Sequence, residues 1–402
     1  MTNAALEPPG ALPSPALESE DELAAIRELA RDYADRRLAP IAAECDESGR
    51  FPIEVVPELG ALGLLGAGFP EELGGSGASK LAFAIIVEEI YRVSAGIAAS
   101  AFMSPLIAHD ILLAGNEEQR RNLIPPILRG ERMAALAVTE PDAGSDAAAI
   151  RTRATRTASG YRIDGYKRFI TNGTLARTVL VLARTTPAAG NRGLSLFAVP
   201  AGVPGLSPQP EIAKLGWRCS DTADVAFDGV EVGEDALIGN LDEGFKVVMA
   251  GFNLERVVLA TGSVGLGQAA LEATIAYATD RIQFGAPIGS FQSVREAIAR
   301  MAADLEAARQ LAYHAGRLLS EGKPCTAEAS MAKIVAAEMA QRVTTKAIQL
   351  HGGVGFTMET AVQRFHRDSL IMSIGGGTSE IQAEVIARSL GLPRAPKGGS
   401  SQ

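Results

Sequence analysis

Apolar residues recur every three or four positions soon after the chain begins, and that period predicts helices. Ser19-Glu20-Asp21-Glu22 has capping-box spacing, in which a hydroxyl and a carboxylate three residues apart satisfy free amides at a helix start. LAAIRELARDYADRRLAPIAAE follows with the helical period intact. Helical patterns broken by Gly and Pro continue to about residue 134, and FPEELGGSGA (69–78) reads as a loop. From about 135 to 245 the runs become short and β-rich: TVLVLART (178–185), LSLFAVPA (194–201) and ADVAFDGVEV (223–232), separated by Gly, Pro, Asn and Asp. Long helical periods then return. Ser293-Val294-Arg295-Glu296 predicts a second capping box opening VREAIARMAADLEAARQLAYHAGRLL, and a further helix spans 326–350 up to Gly352-Gly353.

The predicted fold class is therefore α+β and multidomain. An N-terminal helical domain covers 19–134, a middle β-domain 135–245 and a C-terminal four-helix bundle 246–392, with broad faces for packing on each other and on partner chains. Pro-rich residues 1–18 are expected to be a disordered lead-in, and 393–402 a frayed tail. The α–β–α order lacks the βαβ rhythm of a nucleotide-binding sheet. The glycine clusters at 262–267 and 352–355 also lack a preceding strand, so they make a weak dinucleotide fingerprint.

Composition narrows the function classes. Apolar residues make up 47% of 402 and charged residues 21%, enough for a sizeable core. The net charge of −9 argues against nucleic acid or an anionic membrane as the main partner. Cys45, Cys219 and Cys325 form no CxxC pair, and His109, His314, His351 and His366 have no metal-ligand spacing, so neither a disulfide framework nor a zinc site is expected. The start shows no basic segment followed by an apolar run, and no uninterrupted apolar stretch reaches the roughly 18 residues of a membrane span. The expected location is cytoplasmic.

Four segments carry candidate chemistry. AVTEPDAGSD (137–146) offers small residues around Gly144 and hydroxyls on Thr139 and Ser145, or is an ordinary Asp/Gly/Ser turn. YKRFITNG (166–173) puts Phe169 two residues before Thr171 in an extended run, where the ring can stack on a flat group while Thr171 bonds its edge; the plainer reading is a strand entering an Asn-Gly turn. QLHGGVGFTMETAVQRFHRD (349–368) ends a helix in paired glycines whose amides can face an anion, or is a helix C-cap and surface loop. In SIGGGTSEIQ (373–382) three glycines lead into a helix start at Thr378 and Ser379, with Gln382 at capping spacing from Ser379; the alternative is a hinge and an ordinary cap.

Together these segments resemble the acyl-CoA dehydrogenase family from about residue 20 to 392. DRIQFGAPIGSFQ (280–292) and KLGWRCSDT (214–222) extend the match in the same order. The resemblance implies a helical domain, a β-barrel-like domain and a four-helix bundle, usually assembled as a tetramer, with FAD as cofactor. Thr139, Ser145, Phe169 and Thr171 match residues lining the subunit's own flavin, with Phe169 where many members have Trp. Arg281, Gln283, Phe284, Gln292, Gln349, Gly352 and Gly353 match the segments that reach a neighbouring subunit's FAD. Thr378 and Glu380 match further cofactor contacts, and Ser145, Asn253, Arg256 and Gly375 match positions at the acyl-CoA.

One departure decides the implied mechanism. Most members carry the catalytic Glu at the position of Gly376, after an aromatic at the position of Gly375. A minority, the isovaleryl- and long-chain-type enzymes, place it on a bundle helix instead. Glu255 in NLERVVLA (253–260) falls at that alternative position. The resemblance then implies α,β-dehydrogenation of an acyl-CoA to the trans-2-enoyl-CoA. Glu255 is the base, the backbone N–H of Gly376 is an oxyanion donor, the hydride goes to FAD, and electrons pass to an electron-transfer flavoprotein. Loss of two side chains at 375–376 is expected to empty volume for a bulky, branched or long acyl group. The rival readings are the same chemistry on a carrier-protein-bound acyl or aminoacyl thioester, an oxidase or monooxygenase on this fold, and a non-catalytic scaffold.

Overall fold

The computed structural model describes residues 17–393, so the lead-in and tail lie almost wholly outside the described residues. The first helical unit runs α1 (Glu20–Tyr33), a π-helical segment (Ala34–Leu38), α2 (Ala39–Ser48), α3 (Val55–Ala61), α4 (Lys80–Val93), α5 (Ala95–Ala114) and α6 (Glu117–Leu128). Eight strands follow: β1 (Ala134–Ala137), β2 (Arg153–Arg156), β3 (Gly160–Thr171), β4 (Thr178–Arg184), β5 (Leu194–Pro200), β6 (Leu206–Glu211), β7 (Thr222–Gly233) and β8 (Leu237–Ile238). The last unit is α7 (Gly244–Asp280), the hairpin β9 (Ile282–Gln283) and β10 (Ala286–Pro287), α8 (Gln292–Ser320), α9 (Thr326–His351), α10 (Val362–Ser369) and α11 (Ser379–Ser389). The fourth rod of the bundle is thus broken into two short helices, with the glycine turn Gly375–Gly377 just before α11.

The Ser19 capping box forms with both of its bonds. Glu18, expected to be disordered, instead accepts from the Ser79 amide and hydroxyl at 2.6 Å each, at the N-cap of α4. The Ser293 box does not form: α8 starts one residue earlier, at Gln292, with Phe291 as its N-cap and no side-chain bond there. Phe291 is still extended, and its carbonyl accepts from the Val294 amide at 3.1 Å and the Arg295 amide at 3.0 Å, so the helix is already under way at Ser293.

The sheet order is β6-β7-β3-β2-β4-β5-β8, with β1 joining β4 in parallel. One core fills the space between α4, α5, α7, α8 and α9, and two smaller ones lie beneath and within the sheet. α5 and α7 are long and apolar enough to cross a membrane by composition, yet both are mostly buried inside the protein.

Charge pins the helices. Glu89 of α4 accepts from Arg27 at 2.7 Å and Arg31 at 2.9 Å on α1, while Arg309 of α8 reaches Glu88 at 3.1 Å. Both carboxylates are buried, so removing either partner would strand a charge in the core. This clamp ties α4 to α1 and α8, and where α4 meets α7 Tyr91 lies on the bare backbone of Gly262: a Cβ there would stand 2.9 Å from the ring.

Candidate active site

Glu255 sits in the first third of α7, and its carboxylate faces the glycine turn before α11. Gly376 adopts φ +64°, which disfavours a side chain. A Cβ at Gly376 would lie 2.4 Å from Leu259 Cδ1 and 3.1 Å from Glu255 Oε1. The two positions that sequence reasoning paired are therefore adjacent in space. The expectation of emptied volume fails at Gly376, because Leu259 and Glu255 already fill it. It survives at Gly375, where a Cβ would meet nothing nearer than the Ile371 carbonyl oxygen at 3.7 Å.

Burial pushes the Glu255 carboxyl up to about 7, and the cations of Arg256 and Lys333 hold it from rising further. No hydrogen bond contributes to that balance, so no donor occupies the carboxylate. The Asp110 carboxyl on α5 is held well above its usual range by burial and by Glu255, and the Tyr91 phenol is raised by burial and the same carboxylate. In both neighbours burial and the nearby carboxylate favour the neutral form. Arg256 is buried on α7 and donates from Nη1 to Asn253 Oδ1 at 3.0 Å, which places these two predicted substrate contacts side by side.

The turn is held from behind. Lys333 Nζ on α9 donates to the Gly377 carbonyl at 2.6 Å. Gln382 Nε2 donates to the carbonyls of Gly376 at 3.0 Å and Gly377 at 3.1 Å. Gln382 thus does not close a box with Ser379. The N-cap is Thr378, whose hydroxyl accepts from the Ile381 amide at 3.3 Å, and Glu380 stands exposed in the first turn. Sequence reasoning missed Lys333; its signal was a lone charge among the apolar residues of SMAKIVAA.

A second cluster lies on the sheet. The Arg168 amide donates to the Thr139 carbonyl at 2.8 Å, which brings the turn after β1 against β3. Buried Lys167 locks the joint, donating to the Val138 carbonyl at 2.9 Å and to Glu140 at 2.8 Å. Glu140 in turn accepts from the amides of Arg151 and Thr152. Phe169 is not extended, as expected from sequence, but has φ +59° at a β-bulge between Lys167 and Ile170. The bulge turns the ring outward and leaves it 56% exposed, with Arg168 over its face at 4.8 Å. Thr139 and Thr171 are half-buried beside it and Ser145 is exposed. An aromatic face offered to the outside by a bulge, with hydroxyls around it, fits a flat polar ring such as flavin.

The third group is elsewhere. Arg281 caps α7, 26 residues beyond Glu255 and so about 39 Å away at 1.5 Å per residue. Gln283 and Phe284 lie on the β9–β10 hairpin, and Gln292 opens α8. Gln349, Gly352 and Gly353 end α9. All of these are exposed, Phe284 at 97%. A Cβ on Gly352 or Gly353 would meet no protein atom, so open backbone is presented there. One chain does not bring this group to Glu255.

Comparison with known proteins follows the same three units. Family models for the acyl-CoA dehydrogenase N-terminal, middle and C-terminal domains match residues 20–131, 135–230 and 242–391. The chain is 41% identical over 368 residues to the probable acyl-CoA dehydrogenase YngJ of Bacillus subtilis (strain 168), covering 91% of this chain and 97% of the relative. It is 39% identical over 365 residues to the caffeyl-CoA reductase-Etf complex subunit CarC of Acetobacterium woodii, covering 90% and 96%. The structure of butyryl-CoA dehydrogenase from Megasphaera elsdenii superposes with a TM-score of 0.91 at 36% identity, covering 93% of this chain and 99% of that one. The chain belongs to the acyl-CoA dehydrogenase family and is a FAD-dependent oxidoreductase.

Proposed function

We propose that this enzyme converts an acyl-CoA thioester to its trans-2-enoyl-CoA, with Glu255 as the base that removes the α-proton. One observation carries the reading: the Glu255 carboxylate lies 3.1 Å from where a side chain on Gly376 would begin, so it works at the same place from a different helix. A thioester α-proton is weakly acidic, and a base with a pKa near the working pH transfers it best. Glu255, at about 7, meets that requirement because the pocket is dry enough to raise it and the two cations keep it from being neutral throughout.

Negative charge develops on the thioester oxygen as the proton leaves, and fixed N–H groups stabilise it at low reorganisation cost. The backbone N–H of Gly376 is available for this, on a turn fixed by Lys333 and Gln382. Bound FAD supplies the acceptor for the β-hydride. Phe169, Thr139, Thr171 and Ser145 would hold its ring. Arg281, Gln283, Phe284, Gln292, Gln349, Gly352 and Gly353 would hold the phosphate and adenine side of a neighbouring copy's cofactor, with Thr378 and Glu380 as further contacts. An Arg fork suits a diphosphate, and the distance along α7 favours a partner subunit over the same one. Asn253, Arg256, Ser145 and Gly375 would face the acyl-CoA. The working form is then a homo-oligomer, in the family manner a tetramer. The Etf-complex relative supports an electron-transfer flavoprotein as the electron acceptor.

The test is anaerobic bleaching of the bound flavin by a panel of acyl-CoA thioesters. The wild-type protein bleaches with at least one. Glu255→Gln keeps its yellow colour and fold and does not bleach. Bleaching of that variant at the wild-type rate would overturn the assignment.

A further inference from the structure

The proposed proton abstraction needs a fixed oxyanion donor and a base held partly ionised, and one buried side chain outside the substrate and flavin contacts, Lys333, is placed to serve both. Lys333 is 0% exposed, in the first third of α9, with Ala332 and Ala336 of the core beside it on the helix. A buried ammonium is costly, and an aliphatic residue of similar volume would pack there at less cost unless the charge has a use. Its hydrogen-bond partner among the described residues is the Gly377 carbonyl, one residue beyond the Gly376 amide.

We infer that Lys333 is a positioning residue for the reaction, fixing the glycine turn that carries the Gly376 N–H and supplying positive potential to Glu255. The inference rests on the reading of Glu255 as the base.

Geometry carries the anchoring, and it also puts the cation near the carboxylate: Lys333 Nζ sits on the Gly377 carbonyl, one residue from Gly376, where a Cβ would lie 3.1 Å from Glu255 Oε1. Three consecutive glycines have the loosest backbone a chain can offer, and Gly376 and Gly377 both have positive φ, at 64° and 90°. Without an anchor the Gly376 N–H would sample many directions. The Lys333 ammonium and the Gln382 amide grip the two carbonyls of this turn from α9 and α11. The groups facing Glu255 are the Tyr91 phenol from α4, the Asp110 carboxyl from α5, Arg256 on α7 and Lys333 from α9, while Glu380 on α11 faces Lys333. Burial favours the neutral forms of Tyr91 and Asp110, and the cations that hold Glu255 down are Arg256 and Lys333. Arg256 is engaged by Asn253 on its own helix. Among the described residues, Lys333 is the cation that both bonds the turn and acts on Glu255.

The experiment compares FAD-loaded wild type, Lys333→Met, Lys333→Gln and Glu255→Gln by stopped-flow flavin reduction with a thioester that bleaches the wild type. Rates are taken from about pH 5.5 to 9, which brackets the titration of the base. Methionine keeps the volume and removes both the donor and the charge; glutamine keeps a donor for the Gly377 carbonyl without the charge. The expected result for Lys333→Met is a rate at least about tenfold lower at pH 7, with the midpoint of the profile raised by about one unit. Lys333→Gln is expected to recover to within about threefold of wild type on the alkaline plateau while keeping the raised midpoint. A midpoint unmoved in both variants overturns the inference. If Lys333→Met fails to hold FAD, the midpoint of Lys333→Gln decides alone. Loss of activity in Glu255→Gln with wild-type behaviour in both lysine variants sinks only this inference, whereas wild-type reduction by Glu255→Gln sinks the reading of the base itself.

Discussion

The pocket around Glu255 and the surface around Arg281 are built in opposite ways on the same helix. Toward one end of α7, five helices converge: Glu255, the proposed base, has Tyr91, Asp110, Arg256 and Lys333 about it, and the glycine turn it faces is bonded from two sides. At the other, Arg281 caps the helix beside a two-stranded hairpin whose tip, Phe284, is almost fully exposed, and Phe356 beyond α9 is 88% exposed. The hairpin leaves Ile282 and Phe284 bare, close together in sequence, the kind of apolar surface that another molecule covers. On the proposed reading the difference means that proton chemistry needs one chain, while the far side of the cofactor site needs a second copy.

Four variants break or sharpen that contrast. Glu255→Gln should have the largest effect, lowering substrate-driven flavin reduction by about a thousandfold or more with the FAD content unchanged, read by anaerobic stopped flow. Gly376→Ala comes next. Its Cβ meets Leu259 Cδ1 at 2.4 Å and Glu255 Oε1 at 3.1 Å in a left-handed conformation, so flavin reduction should fall about a hundredfold and stability by about 1–3 kcal/mol in a denaturant titration. Arg281→Ala should leave the pocket chemistry intact in the fully loaded enzyme and weaken FAD about tenfold, measured by cofactor retention on dilution. Phe284→Asp should dissociate the oligomer in size-exclusion chromatography with FAD loss following, and retention of the wild-type oligomer would contradict the contrast.

The smallest effect concerns stability. The folded Glu255 carboxyl is raised from 4.5 to about 7, so the folded state binds its proton more tightly than the unfolded chain. That contribution is present in full below 4.5 and is lost as pH rises through about 7. Glu255→Gln should therefore raise the melting temperature by a few degrees at alkaline pH, and change it least in acid.

Much of this was legible before any coordinates. The helical period and the β-rich middle segment placed most elements, because a buried face imposes its repeat on the sequence. The pairing of Gly376 with Glu255 was also legible, since it rests on two matched motifs. What failed were local rules with competitors in space. Ser293 has the right spacing for a cap, yet α8 begins before it. Gln382 has the spacing of a capping box, yet tertiary carbonyls at Gly376 and Gly377 take its donor. Phe169 reads as extended because no sequence signal marks a bulge that depends on the partner strand β7. The volume at Gly376 was misjudged because its occupants, Leu259 and Glu255, come from a helix more than a hundred residues away. Lys333 was passed over for the same reason.

The most direct test follows the proton itself. An acyl-CoA that bleaches the wild-type flavin is prepared with deuterium at the α-carbon, and its loss to water is followed by mass spectrometry under anaerobic conditions. Wild type should release the label, faster above about pH 7 than below, and Glu255→Gln should retain it over the same time. Release of the label by Glu255→Gln at the wild-type rate would show that another group takes the proton.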